Sequence, residues 1–498
     1  MARTEWELLP EFTAELEEIR KNGINPTLLY DILQKHISNA EYNKKLYKRY
    51  MCIGEGVPIF GREKHFEEEE NPINNKVNND FFGLIVKAKV GCFAGNPIAY
   101  SYSETDEAED DTGGKKAVDE AAKTLTDFIT RNNMHGVDMA VTKNAAIYGY
   151  SGRLLYIDKE GNERVKAIHG YETIILSDTD ISEPEYAIRY YKTLDIHQAE
   201  HWTVEFFDDK NITIFKGSSL QDLEQKEVKE HCFDYCPLQG VANNEECMGD
   251  AENVIAAIDA YDTIISDNTN ELEAFAHAML LVNLNTDDTT IQKAQKSGAL
   301  IIPPVGTSNN SEPVKWLTKN INDAFSEHQL SRLEDNIHTF SQTPNFNDES
   351  FGSASGVALE HKFNGMKEKC TTFAACVKNS AHYMWKTLCS SWAKKGIKVD
   401  PLHIVMDFKF NIPQDTQSEA TTVQSLIGAG LPKRYAYAKL SDVDDVDWIM
   451  DEIEAEKESA MDLFQAAQQT AANGKSLTEN MGGDKETDDK KKETEPQE

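Results

Sequence analysis

His338-Thr-Phe-Ser-Gln-Thr-Pro-Asn-Phe-Asn-Asp-Glu-Ser-Phe-Gly-Ser-Ala-Ser-Gly356 breaks one helical pattern and introduces a much longer one. Behind it, Val357 to Lys395 contains no proline and carries apolar residues at Leu359, Phe363, Met366, Cys370, Phe373, Val377, Ala381, Met384 and Leu388. The steps from 359 to 388 average about 3.6 residues, the α-helical period. At about 1.5 Å per residue the helix would be roughly 58 Å long. Only Gly365 interrupts it, and Gly396 supplies the stop. A span of that length needs support throughout, so the other elements are expected to be built around it. Pro344 and the glycines 352 and 356 make the break the natural place for movement.

The chain has 498 residues, more than one hydrophobic core normally organises, so two or more domains are expected. Its formal net charge is −34, which argues against tight nucleic-acid binding, because neutralising phosphates takes Lys and Arg. The eight cysteines are scattered, several within apolar helical stripes, as free thiols in a reducing cytoplasm would be. The first residues lack an apolar stretch, and no run approaches the length of a bilayer span, so neither a secretion signal nor a membrane segment is expected.

Upstream, residues 10–52 read as short helices, and an Asn-rich stretch from Asn71 leads into an Asn-capped helix ending near Gly91, then a strand Ile98–Tyr102. Residues 103–116 read as a mobile polar loop, followed by a helix from Val118 to about Asn132. From Ala145 to Phe215 the period becomes two, in segments such as Arg153–Ile157, Tyr186–Tyr191, His201–Phe207 and Ile212–Phe215, with turns at Asp158–Asn162 and Asp208–Asn211. The fold class read here is α+β, mainly helical.

Two helices then flank an insert. In the first, Glu252–Leu281, one arc carries Val254, Ile258, Tyr261, Ile265, Leu272, Phe275 and Met279. The other carries Glu252, Asp259, Asp262, Asp267, Glu271 and Glu273, with no Lys or Arg in the segment. The second helix, Asn320 to about Phe340, aligns Ile321, Phe325, Leu333 and Phe340, on which the first helix's apolar arc is expected to pack. The insert 282–318 includes a helical stretch Thr289–Ser297 and a strand Ala299–Ile302. After the long helix come a strand Leu402–Ile412, helical stretches 416–428 and 441–472, and a charged tail 474–498 that reads as disordered.

Catalytic and metal signatures are sparse. The phosphate loop G-x-x-x-x-G-K-[ST] and H-E-x-x-H are absent, and Gly352-Ser-Ala-Ser-Gly356 has Ala354 where a nucleophile elbow needs serine. His231, Cys232, Cys236 and Cys247 form one metal-like group, but without paired Cys-x-x-Cys knuckles, so ordinary thiols are the simpler reading. No cofactor is expected, and the acidic runs read as solvated faces.

Three stretches carry a family resemblance: Asn78–Ile98 with its Asn-rich entry, Ala260–Ala276, and Thr339–Leu359. In their order and spacing the chain resembles the portal proteins of long-tailed bacteriophages of Gram-positive hosts, over roughly residues 25–470. The resemblance implies a non-enzymatic ring of about twelve subunits at a capsid vertex. Double-stranded DNA would pass through it without sequence-specific contact. Residues 1–250 and 357–412 would form a wing, 251–281 and 320–342 two stem helices, and 282–319 a clip. Residues 343–356 would form a tunnel loop and 413–473 a crown. The implied partners are the terminase large subunit, a head-completion adaptor, and the major capsid and scaffolding proteins. The implied location is the virion, after assembly in the host cytoplasm.

On this reading Asn345, Phe346, Asn347, Asp348, Glu349, Ser350, Phe351 and Gly352 would touch DNA without anchoring it. Asp259, Asp262, Asp267 and Glu271 would line the channel, where a wall of the same sign as phosphate keeps the duplex sliding. Ile258, Tyr261, Ile265, Phe275, Phe325 and Leu333 would pack the stem. The competing classes are a minor capsid or adaptor protein and a DNA-processing enzyme using the acidic clusters.

Overall fold

Two helices begin the chain in the computed structural model, α1 (Thr13–Asn22) and α2 (Pro26–Tyr50). The structure describes residues 9–63, 73–103, 112–177, 183–276, 280–283, 299–302, 314–316, 323–346, 356–412, 416–437, 439–440, 446, 449–450, 452–457 and 461. Pro26 occupies the first turn of α2, where no N–H is needed, and Asn25 Oδ1 accepts from the Leu28 N–H at 3.0 Å. Then follow α3 (Phe81–Ala94), β1 (Ala99–Tyr102), α4 (Thr112–Asn132) and α5 (Met134–Tyr148). The cap of α3 is Asp80, whose carboxylate accepts from the Gly83 N–H at 2.8 Å, and not one of the asparagines. The expected onset of strand at Ala145 is also corrected: α5 runs on to Tyr148 and turns at Gly149 with φ 81°.

The period-two region then forms β2 (Tyr150–Ile157), β3 (Glu163–His169), β4 (Thr173–Leu176), β5 (Tyr186–Leu194), β6 (Glu200–Phe207), β7 (Asn211–Gly217), β8 (Glu224–Glu230) and β9 (Leu238–Ala242). They make two antiparallel sheets, ordered β3-β2-β9 and β4-β5-β6-β7-β8. Both expected turns are built on an aspartate accepting from the next backbone donors. Asp158 Oδ1 takes the N–H of Glu160 and of Asn162, each at 2.9 Å, and Asp208 Oδ1 takes those of Lys210 and Asn211.

Next come α6 (Ile255–Ala276) and three short strands, β10 (Leu280–Asn283), β11 (Ala299–Ile302) and β12 (Val314–Trp316). They form one sheet in the order β11-β10-β12, with β10 parallel to β11 and antiparallel to β12. The helix expected to reach Leu281 is corrected, because Leu280 and Leu281 pair with β11 and β12 as strand. The expected helical stretch 289–297 lies outside the described residues, as do the tail and residues 104–111 of the expected polar loop 103–116. The end of that loop is corrected, because α4 already begins at Thr112 rather than at Val118. α7 (Asp323–Phe340) and α8 (Gly356–Lys394) follow, then β13 (Ile404–Asp407), α9 (Thr416–Gly428) and α10 (Lys433–Tyr437). Strand pairing at 402–412 is shorter than expected. Only β13 pairs, with β1, while Phe408, Phe410 and Ile412 alternate because they lean on the core. Among the described residues no helix is long and apolar enough to cross a membrane.

Two compact units result. The first holds nearly everything up to Ile412, and the second the first turn of α8 together with the residues after Ile412. Within the first unit α8 is the spine: Phe363, Met366, Cys370, Phe373, Val377, Ala381, Met384 and Leu388 are all buried in one cluster with residues of α3, α4, α5, β2 and β13. A second cluster seats α1 and α2 on the five-stranded sheet. A third joins α2, α3, α5, α6 and α7.

Candidate functional site

α6 and α7 meet along an apolar seam where α6 begins and α7 ends. Ala251, Val254, Ile255 and Ile258 are buried with Ile337 of α7 and with Tyr42, Leu46, Phe82, Ile85 and Val86. Tyr261 meets the Phe81 ring edge-on at 5.1 Å, and Ile265 and Leu333 are half-buried. The row of α7 that turns inward is Leu330 and Ile337, two turns apart. Phe325 and Phe340 of the expected row are 59% and 60% exposed, so the expected packing row is corrected. Phe325 and Phe340 sit roughly 60–140° around the helix from Leu330 and Ile337, so only the neighbouring elements decide which residues are buried. Ile321 and the Phe275 side chain lie outside the described residues.

The polar side of α6 is occupied by its own chain. Residues 73–80 carry no helix or strand, and they run along the helix as a strap. Asn75 donates its N–H to Asn270 Oδ1 at 2.7 Å and its amide to Glu273 at 2.6 Å. Val77 donates to Ser266 Oγ at 3.0 Å. Asn79 donates both its N–H and its side-chain amide to Asp262 Oδ1, each at 2.9 Å. Positions 75, 77 and 79 thus meet 270, 266 and 262. Two residues of extended chain advance about 6.6 Å and four helical residues about 6 Å, so the match can continue for several steps. Two arginines flank the strap: Arg49 pairs with Asp259 at 2.5 Å and Arg62 pairs with Asp267.

Asp259, Asp262 and Asp267, all expected to line a channel, therefore face partners within the subunit. Asp262 is 1% exposed, and burial raises its pKa above the ordinary carboxylate value despite the two Asn79 donors. Asp259 and Asp267 are partly exposed and ion-paired, and Glu271 is half-buried.

The C-terminal end of α7 is closed tightly. The Gln342 N–H reaches Thr339 O and the Thr343 N–H reaches His338 O, at 3.2 and 3.0 Å, with Gln342 left-handed at φ 53°. His338 Nδ1 returns a hydrogen bond to Thr343 O at 3.1 Å. Asn345 then folds back, its amide donating to Glu334 at 3.2 Å, and the Phe346 ring lies 6.2 Å from that of Phe363. Asn347, Asp348, Glu349, Ser350, Phe351 and Gly352 lie outside the described residues.

Beside this turn sits a buried charge cluster that sequence reasoning missed. Asp250 lies between Lys89 of α3, at 3.4 Å, and Lys369 of α8, at 3.0 Å. Burial alone would raise the Asp250 pKa, but the two lysines together pull it below the ordinary value. Lys369 is itself depressed, chiefly by burial. These residues line a cavity of about 400 Å³ with Asn253, Phe340 and Gln342. The sequence did hold signals for the strap: Asp262, Ser266 and Asn270 form a polar row at four-residue spacing that calls for a polar partner, and Asn75 and Asn79 lie four apart. Nothing in the sequence connects Lys89, Asp250 and Lys369.

His231, Cys232, Cys236 and Cys247 do not converge. The Cys236 thiol is buried against the Leu238 carbonyl at 3.5 Å, His231 bonds to the Asp208 carbonyl at 3.1 Å, and Cys232 is exposed. Among the described residues no group of three or more His, Cys, Asp or Glu could hold a metal ion.

Residues 29–463 match the model of a family described as phage portal protein, SPP1 Gp6-like. The portal protein of Clostridium phage phiCD119 is 23% identical over 349 residues, covering 65% of this chain and 72% of that relative.

Proposed function

The chain belongs to the SPP1 Gp6-like family of phage portal proteins, and from that membership we propose that about twelve copies close into a ring at one capsid vertex. Double-stranded DNA is packaged and later ejected through its centre. The α-helices and sheets up to residue 250, with 357–412, are the wing; α6 and α7 are the stem; the insert 282–319, whose three-stranded sheet begins at Leu280, is the clip, where the terminase large subunit and then a head-completion adaptor dock. Residues 343–356 are the tunnel loop and 413–473 the crown. Major capsid and scaffolding proteins surround the ring, which ends as part of the virion.

The observation that carries this reading is the family match, which spans both helices, the insert and the long helix. The net charge of −34 supports it, because cationic contacts multiplied around a ring would trap a duplex that has to slide. The acids of α6 take different parts in the proposal. Asp262 anchors the strap, whereas Asp267 and Glu271, which keep some exposure, remain the candidates for facing DNA.

Negative-stain images and light scattering of the purified chain test the ring. A particle with a central hole and about twelve subunit masses is expected, and a monomer would favour an adaptor or minor capsid protein. Metal-dependent DNA cleavage or ATP hydrolysis by the same sample would favour the enzyme reading. For the loop, phage carrying Asp348→Lys with Glu349→Lys is expected to package DNA slowly and in low yield. Normal speed and yield would remove the loop from DNA passage.

A further inference from the structure

The last carbonyls of a helix have no partner within it, and they must find one elsewhere. In α7 the carbonyls of Ile337, His338 and Thr339 are taken by the closing turn, from the N–H groups of Ser341, Thr343 and Gln342. The next two are taken by side chains from other elements. Phe340 O accepts from the Asn253 amide at 2.7 Å, and Ser341 O accepts from Lys369 Nζ at 2.9 Å. Asn253 stands in the turn just before α6, and Lys369 lies a third of the way along α8.

Lys369 is in turn fixed by Asp250, on the turn that enters α6, and Asp250 by Lys89 of α3. A cationic group at a helix C-terminus also meets the negative end of the helix dipole. Gly365 completes the arrangement. A Cβ at that position would lie 3.1 Å from the Gln342 Cβ, so the single glycine inside the long helix lets the end of α7 sit against α8.

We propose that Lys369 and Asn253 are positioning residues that lock the C-terminal turn of α7, and so fix the direction in which the chain leaves at Thr343. The proposal rests on the reading of the segment after Thr343 as the tunnel loop, because a moving loop needs a rigid root. Its physical core is independent of that reading. The lock draws on the residues that enter α6 and on the body of α8, so the stem pair and the long helix share one junction. Lys369 contacts no DNA in this account. It acts through the backbone of Ser341.

Hydrogen exchange on the full-length assembled protein tests the lock, with Asn253→Ala as the surface variant that does not endanger folding and Lys369→Met as the buried one. Losing one such bond is expected to speed exchange of peptides covering 338–346 roughly three- to tenfold. Peptides from β5–β7 and from residues 377–392 are expected not to change. Lys369→Arg, which can still donate to Ser341 O, is expected to restore most of the protection. Unchanged exchange at 338–346, or an equal rise throughout the wing, would overturn the proposal. Phage packaging by Asn253→Ala separates the two readings: faster exchange with lower DNA yield supports both, and faster exchange with normal yield supports the lock while removing the loop's role in DNA passage.

Discussion

Asn79 offers two donors, its backbone N–H and its side-chain amide, to a single oxygen, Asp262 Oδ1, at 2.9 Å each. The pairing ties an irregular segment to the middle of α6 across 183 residues of sequence. It also explains how a carboxylate with 1% exposure is tolerated on a helix without a basic residue. A buried acceptor with two donors is satisfied, and removing it strands both.

Asp262→Ala is accordingly expected to cost about 2–4 kcal/mol in urea unfolding, because two donors lose their acceptor. Asp262→Asn keeps an oxygen at the same place and is expected to cost about 1 kcal/mol or less. A double-mutant cycle with Asn79→Ala should show coupling of about 0.5–3 kcal/mol. Additive effects would mean the strap and helix are not engaged in solution.

Two glycines with the same backbone angle should respond differently. Gly149 has φ 81° and Gly161 φ 84°. A Cβ on Gly149 would overlap the Cys247 carbonyl, whereas nothing lies near one on Gly161. Gly161→Ala is expected to cost about 1 kcal/mol from the backbone angle alone. Gly149→Ala adds the steric overlap and is expected to exceed about 3 kcal/mol or to prevent folding. Equal thermal shifts would contradict the tight approach of the α5–β2 turn to residues 247–248.

Two buried groups should give opposite pH dependences. Burial holds His36 neutral, with its pKa lowered to about 3 from 6.5. Between those values the unfolded chain takes up the proton and the folded one does not, so stability falls as pH drops through that window. Burial raises Asp138 from 3.8 to about 6 despite Arg153 nearby. There the folded chain keeps its proton longer, so stability rises as pH drops from about 6 towards the ordinary carboxylate range. Asp138→Asn is expected to abolish that rise, and His36→Leu to flatten the acid loss, in denaturant midpoints taken from pH 7 to 4. A slope unaltered by either change would remove that residue from the account.

The α8 spine can be tested against the α7 surface. Phe373 is fully buried, meets the Phe93 ring at 4.6 Å and carries Lys89 over its face at 4.8 Å. Phe373→Ala is expected to cost about 3–5 kcal/mol. Phe340→Ala, on the row that faces outward, is expected to stay within about 0.5 kcal/mol in the isolated subunit. A comparable loss at both sites would restore the packing row expected from sequence.

Much of the fold was legible because the responsible signals are local. The stripe from Phe363 to Leu388 has helical spacing, and all of it is buried. The segments around Arg153, Tyr186, His201 and Ile212 are rich in β-branched and aromatic residues and form strands, and their aspartate turns close as written. The failures have a common cause. On α7 apolar residues occupy more than one side, and the choice of Leu330 and Ile337 belongs to the elements packed against them. On α6 the acidic arc looked like a free surface because the strap that covers it lies far away in the sequence.

What the sequence determined by itself is periodicity: which stretches are mainly helix or strand, and, through three stretches in order, the family. Those properties depend on neighbours a few residues away. The tertiary structure alone decided which polar groups meet. Asn79 with Asp262, Lys369 with Asp250 and Ser341, and Gly365 against Gln342 are all long-range encounters. A charge or amide has no period that names its partner, and burial, which compels the pairing, exists only once the helices have packed.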